Sequence, residues 1–244
     1  MPTRAHKTGF LKRTLRLGGK RYLYQVYLPP SWKKSTKFPV ILFLHGAGER
    51  GSDGDLQTRV GAGSAIRAHA ERFPFIVVFP QCRRDSQWPK AEMQSLALKT
   101  LEHAVKEFNG DTRRIYLTGI SMGGYGVWTL GAANPGKFAA LVVICGGVHT
   151  LLPARRHSSG PDPYVSVAEA LGHSPVWIFH GADDPAVPVA QSRRMHDALK
   201  HAGGNVRYSE YPGVGHNSWD KAYSEPGLVP WLLSQSLATH QGAP

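Results

Sequence analysis

The 244-residue chain has only two cysteines, Cys82 and Cys145. Neither sits in a C-x-x-C pair, so the redox and zinc motifs built on that spacing are excluded. If the two lie just past separate strands with two others between them, they stand roughly 14 Å apart at about 4.8 Å per strand. That exceeds the ~7 Å reach of a disulfide, so they read as buried free thiols. H-E-x-x-H and clustered Cys/His spacings are missing too, and neither a metal ion nor a cofactor is expected. No apolar run approaches the ~20 residues needed to cross a bilayer. Met1 to Lys20 is basic but lacks the apolar stretch of a secretory signal, which makes the expected location cytoplasmic, or secreted if a leader has been removed ahead of these residues. Acidic residues are scarce: 17 Asp and Glu stand against 29 Lys and Arg, a formal net charge of +12. The basic pairs, such as Lys33-Lys34, Arg83-Arg84, Arg113-Arg114 and Arg193-Arg194, fall in different predicted elements. With no basic helix or RNP-like aromatic pattern to gather them, they describe a solvated basic surface rather than a nucleic-acid site.

What is present is ordinary for a globular protein: 41% hydrophobic and 19% charged residues. That is enough chain to bury a sizeable core as one domain over 1–244. Phe10–Leu17 and Arg21–Leu28 alternate with period two around Gly18-Gly19, the pattern of a hairpin. Phe38–His45, Phe75–Pro80, Arg114–Thr118, Ala139–Cys145 and Pro175–Phe179 are nearly continuous apolar runs, as in strands covered on both faces. Val206–Tyr211 reads as the last strand. Helical stretches intervene. Met93, Leu96, Ala97, Leu101, Ala104, Val105 and Phe108 form one amphipathic stripe ending at Asn109-Gly110. Further helices are expected over Gly61–Arg72, from Met122 to about Ala133, over Val189–Ala202, and over Ser218–Gln235 with a break at Pro226. Gly46–Gly51 is too glycine-rich for a helix. Alternating strands and helices predict an α/β fold with a mostly parallel sheet of about eight strands. Val148–His173 is long and proline-bearing, and is read as a lid-like insertion. Residues 236–244 are read as a frayed tail.

The chemistry gathers at Gly119-Ile120-Ser121-Met122-Gly123-Gly124, between an apolar strand and a helix. A serine on so sharp a turn needs glycines two residues before and after it, where side chains would strike the neighbouring strand and helix. The helix start then turns its free N–H groups towards the serine, where an oxyanion would form. A serine hydroxyl is a weak nucleophile without a base and a group to orient that base. Chain order supplies candidates. After the strand ending at Phe179 comes His180-Gly181-Ala182-Asp183-Asp184-Pro185. Both aspartates qualify as the acid, and Pro185, which holds its predecessor extended, favours Asp184. After the last strand, Gly215-His216-Asn217 offers a base, whereas His196 and His201 fall within a predicted helix. Ala47 N–H, in the loop after the first apolar strand, and Met122 N–H are the candidate oxyanion donors, and His45 is read as support for that loop.

Leu44-His45-Gly46-Ala47-Gly48-Glu49-Arg50-Gly51, Gly119–Gly124, His180–Asp184 with Val187-Pro188, and Gly215-His216-Asn217-Ser218-Trp219 together resemble the α/β-hydrolase superfamily. Within it they are similar to the carboxylesterases that include phospholipase/carboxylesterases, dienelactone-hydrolase-like proteins and feruloyl or acetyl-xylan esterases. The resemblance implies Ser121 as nucleophile, His216 as general base, Asp184 as orienting acid, and Ala47 and Met122 amides as oxyanion hole. Dienelactone hydrolases proper use cysteine, so Ser121 favours ordinary esters. The expected activity is hydrolysis of short-acyl or aryl, feruloyl-type esters, free or polymer-linked, with Trp88, Trp219 and 148–173 as pocket wall. A peptidase or thioesterase on the same scaffold, or a non-catalytic binding protein, are the alternatives.

Overall fold

The computed structural model describes residues 8–148 and 162–238. Its centre is an eight-stranded sheet in the order β1-β2-β4-β3-β5-β6-β7-β8. β1 (Gly9–Leu17) and β2 (Lys20–Leu28) form the expected antiparallel hairpin. Gly18 and Gly19 both have positive φ, 53° and 75°, the twist that a two-residue turn needs to match its strands. β2 runs antiparallel to β4 (Ile76–Pro80). From β4 onward the sheet is parallel, through β3 (Phe38–Leu44), β5 (Gly110–Ile120), β6 (Ala140–Ile144), β7 (Val176–Gly181) and β8 (Val206–Tyr211).

Successive strand residues point to opposite faces, so a continuous apolar strand fills two cores. In β3, Val40, Leu42 and Leu44 join one cluster while Ile41 and Phe43 join the other. The first cluster is closed by α2 (Ala91–Phe108), α3 (Met122–Ala132), α4 (Pro163–Leu171) and α5 (Ala190–His201). α1 (Ala62–Ala68), α6 (Trp219–Ser224) and α7 (Leu228–Leu233) close the second. α2 buries the predicted stripe except Val105, which is partly buried, and stops at Asn109, which has a left-handed φ of 55° and donates its N–H to Val105 O.

Three expectations change. Gly46–Gly51 contains one 3₁₀ turn, Ala47–Glu49. The stretch read as a lid-like insertion, 148–173, includes helix α4, which buries Tyr164, Ala168 and Leu171 in the first core; residues 149–161 of that stretch lie outside the described residues. Asp162 starts α4 by accepting the Tyr164 N–H, and proline at the first helical position lacks an N–H that would go unused there. Finally, the expected fraying from Ser236 does not begin there, since Leu237 N–H donates to Arg113 O and Arg113 Nε donates to Leu237 O; residues 239–244 lie outside the described residues. Cys82 and Cys145 are buried and free. Among the described residues no helix is long and apolar enough to cross a membrane.

Candidate active site

The site forms where β3, β5, β7 and β8 end, on the side of the sheet from which the loops emerge. Ser121 occupies the turn between β5 and α3 with φ 51° and ψ −118°, a region costing a non-glycine residue about 1–3 kcal/mol. Surrounding contacts impose it. Ser121 N–H donates to Ile144 O at 2.9 Å, and Gly124 N–H donates to Ser121 O at 2.8 Å. A Cβ on Gly119 would stand 2.5 Å from Gly123 O, and one on Gly123 would stand 1.9 Å from Leu44 O. Both are impossible contacts with backbone, so the turn exists only with these glycines.

His216 lies in the loop between β8 and α6, with Nε2 2.9 Å from Ser121 Oγ and Nδ1 2.7 Å from Asp184 Oδ2. Asp184 follows β7, and its side chain is fully buried. Burial would raise its pKa, but the hydrogen bonds from His216, Val187 N–H and Ala186 N–H outweigh that and hold it below the ordinary value. Asp183 is exposed, and its backbone N–H rather than its carboxylate meets the neighbouring loop, at Val214 O. Thus the structure brings Ser121, His216 and Asp184 into one hydrogen-bonded line and leaves Asp183 outside it.

Sequence reasoning missed His180. This fully buried imidazole has Nε2 3.1 Å from Asp184 Oδ2 and 3.0 Å from Val187 O, and Nδ1 2.6 Å from Ser192 Oγ. The available signal was a histidine next to the end of an otherwise apolar strand, four residues before an aspartate.

The loop after β3 passes directly beside the serine: a Cβ on Gly46 would lie 3.8 Å from Ser121 Cβ. Neither Ala47 nor Met122 N–H donates to backbone among the turn and loop hydrogen bonds of the described residues. His45 is fully buried, and its Nε2 accepts the Cys82 N–H at 2.9 Å. Nδ1 therefore carries the proton and donates to Gly46 O at 2.6 Å. Burial lowers the His45 pKa to about 4, so the ring is a neutral strut, as the loop-support reading expects. Glu49 ends the same turn. Burial raises its pKa, with the N–H groups of Glu49 and Gly46 acting in the opposite direction.

Trp88 requires a correction as a pocket-wall candidate. It is 1% exposed, its Nε1–H donates to His45 O at 2.9 Å, and it packs where Gly126 lacks a side chain. It is a core residue bracing the loop after β3. Trp219 is half-buried and stands edge-on to His216, with ring centroids 5.5 Å apart.

Cys145, Asp184 and His216 place donor atoms within 4.8 Å of one another, the one metal-capable cluster among the described residues. Both Asp184 oxygens already accept N–H donors. The Cys145 thiol is pushed up to about 12 by burial, whereas a metal ligand must be thiolate. The donor set suits a proton relay better than an ion.

A family model described as "Putative esterase" matches residues 16–225, which include Ser121, Asp184 and His216. The chain is 27% identical over 237 residues to an uncharacterized secreted protein of Arthroderma benhamiae, covering 84% of this chain and 24% of that one. It is 35% identical over 120 residues to a poly(3-hydroxyoctanoate) depolymerase of Pseudomonas fluorescens, covering 49% and 39%. It superposes on the crystal structure of a thermostable esterase with a TM-score of 0.79 and 35% identity, covering 93% of this chain and 63% of the other. The chain thus spans between 24% and 39% of the length of these two curated relatives. The matched span, the α/β-hydrolase architecture and the geometry around Ser121 agree, and the chain belongs to the esterase family of α/β-hydrolases.

Proposed function

We propose that the protein is a serine carboxylic-ester hydrolase in which Ser121 is the nucleophile, His216 the general base and Asp184 the acid that orients it. The observation that carries this is the unbroken line of 2.9 Å and 2.7 Å contacts from Ser121 Oγ through both ring nitrogens of His216 to a buried carboxylate. His216 Nε2 takes the hydroxyl proton as Ser121 Oγ bonds to the ester carbonyl carbon. The carbonyl oxygen becomes an oxyanion, received by the Ala47 and Met122 N–H groups. Collapse breaks the bond to the leaving alcohol, which takes the proton from His216. Water then attacks the acyl-enzyme by the same route, releasing the acid and restoring Ser121.

The substrates proposed are short-acyl or aryl esters, small or polymer-linked. In support, Trp219 offers a flat apolar surface beside His216, and one relative is named for cleaving a polyester. The test compares turnover of p-nitrophenyl acetate, p-nitrophenyl butyrate and a ferulate ester with that of a thioester and a peptide, in wild type and Ser121→Ala. Ester turnover should dominate and vanish in the variant. Residual wild-type activity in a folded Ser121→Ala, or peptide or thioester turnover exceeding that of esters, refutes it.

A further inference from the structure

Behind the line from Ser121 to Asp184 the buried polar chain continues. Asp184 Oδ1 accepts the N–H groups of Ala186 and Val187, at 2.8 and 2.9 Å. Oδ2 accepts from His216 at 2.7 Å and also faces His180 Nε2 at 3.1 Å. His180 Nε2 has two neighbours, Val187 O and Asp184 Oδ2, that only accept, so this nitrogen carries the proton. Burial lowers the pKa of the His180 ring and so favours its neutral form. Nδ1 must then accept the hydroxyl proton of Ser192, a residue with no exposed surface. Ser192 on α5 thus fixes the tautomer of a ring on β7.

We propose that His180, anchored by Ser192, is a positioning residue for ester hydrolysis: its Nε2–H holds Asp184 Oδ2 aimed at His216 throughout the catalytic cycle. This rests on the assignment of Ser121, His216 and Asp184 made above. Four donors fill the carboxylate's lone-pair sites, and three of them belong to parts of the fold that do not react. Without His180, Oδ2 keeps among the described residues only His216 as a partner, the ring that gains and loses the proton. His180 also withdraws negative charge from the oxygen that would stabilise a protonated His216, so its removal should make His216 a stronger base.

The groups around this cluster cannot mimic the effect. The Cys145 thiol at the end of β6 is raised to about 12, and the Tyr125 hydroxyl on α3 is raised above its ordinary 10, both by burial. Glu210 on β8 is lowered to about 2 by its hydrogen bonds to Arg193 and Tyr208. Tyr208 itself is raised, mainly by burial. The Cys145 thiol, the Tyr125 and Tyr208 hydroxyls and the Glu210 carboxylate therefore keep their charge between about pH 5 and 9.

Two substitutions separate the roles of the ring nitrogens. His180→Asn keeps a polar atom near the Nδ1 position, facing Ser192, but has none at Nε2; His180→Gln restores an N–H there. With p-nitrophenyl acetate from pH 5 to 9, His180→Asn should lower kcat about tenfold at little-changed KM and raise the acid limb of kcat/KM by about 0.5 pH unit. His180→Gln should bring the limb back to within about 0.2 unit of wild type. A folded His180→Asn with an unshifted limb, or an equal shift in His180→Gln, overturns the proposal. If His180→Asn does not fold, Ser192→Ala decides: freeing the ring should shift the limb the same way by a smaller amount, and no shift overturns the proposal. Ser121→Ala runs alongside. Turnover persisting there refutes the underlying assignment, whereas an inert Ser121→Ala with an unshifted His180 limb refutes only the positioning role.

Discussion

His45 should make the protein acid-labile by a calculable amount. Its neutral ring accepts the Cys82 N–H, which an imidazolium cannot do, and burial lowers its pKa from 6.5 to about 4. Below pH 6.5 the unfolded chain takes up a proton at this position, and the folded chain does not until about pH 4. The unfolded state therefore binds more protons across that window, and stability falls as pH falls. The slope is about 1.4 kcal/mol per pH unit, which over the window amounts to about 3 kcal/mol, a large part of a typical 5–15 kcal/mol. His180, also lowered mainly by burial, acts in the same direction, so wild type alone does not isolate His45. His45→Gln does, because glutamine supplies an acceptor but never titrates. Urea unfolding at pH 7, 6, 5 and 4.5 should find the variant less stable at neutral pH and gaining on wild type by about 1.4 kcal/mol per unit below pH 6.5. A stability difference independent of pH would refute the reasoning.

The two aspartates should separate sharply. Asp184→Asn should cut kcat by about 10⁴ through loss of the correct imidazole tautomer, while Asp183→Asn, at an exposed position, should stay within about twofold in activity and about 0.5 kcal/mol in stability; steady-state kinetics and urea midpoints check both. The two tryptophans should divide between stability and substrate binding. Trp88→Phe should lose about 1–3 kcal/mol by leaving the buried His45 O without its donor, with KM unchanged once folded. Trp219→Ala should raise KM for aryl more than for acetyl esters, measured across the ester panel.

Much of the fold was legible because its cause is local. β3 and β6 are apolar at nearly every position since both of their faces are covered, and that leaves no polar alternation to misread. The elbow was legible for the same reason: Gly119 and Gly123 stand two residues either side of Ser121, where a Cβ would strike backbone. The second half of the presumed lid was misread because three prolines suggest a loop, although Pro163 occupies a helix's first position, where proline does no harm. Trp88 was misread because a tryptophan in a polar loop looks exposed until Gly126 and His45 O are seen to receive it.

By itself, then, the sequence determined the order of strands and helices, the glycine-flanked serine turn, and the succession of serine, acid and histidine along the chain. All of these depend on neighbours in sequence and on backbone sterics. Pro185 already favoured Asp184, but tertiary structure alone decided that its carboxylate reaches His216, which tryptophan belongs to the core, and that His180 and Ser192 complete the surroundings of Asp184. His216 meets Ser121 across 95 residues and Asp184 across 32. Where a side chain points over such separations is set by how β5, β7 and β8 pack side by side, a relation that no local pattern carries.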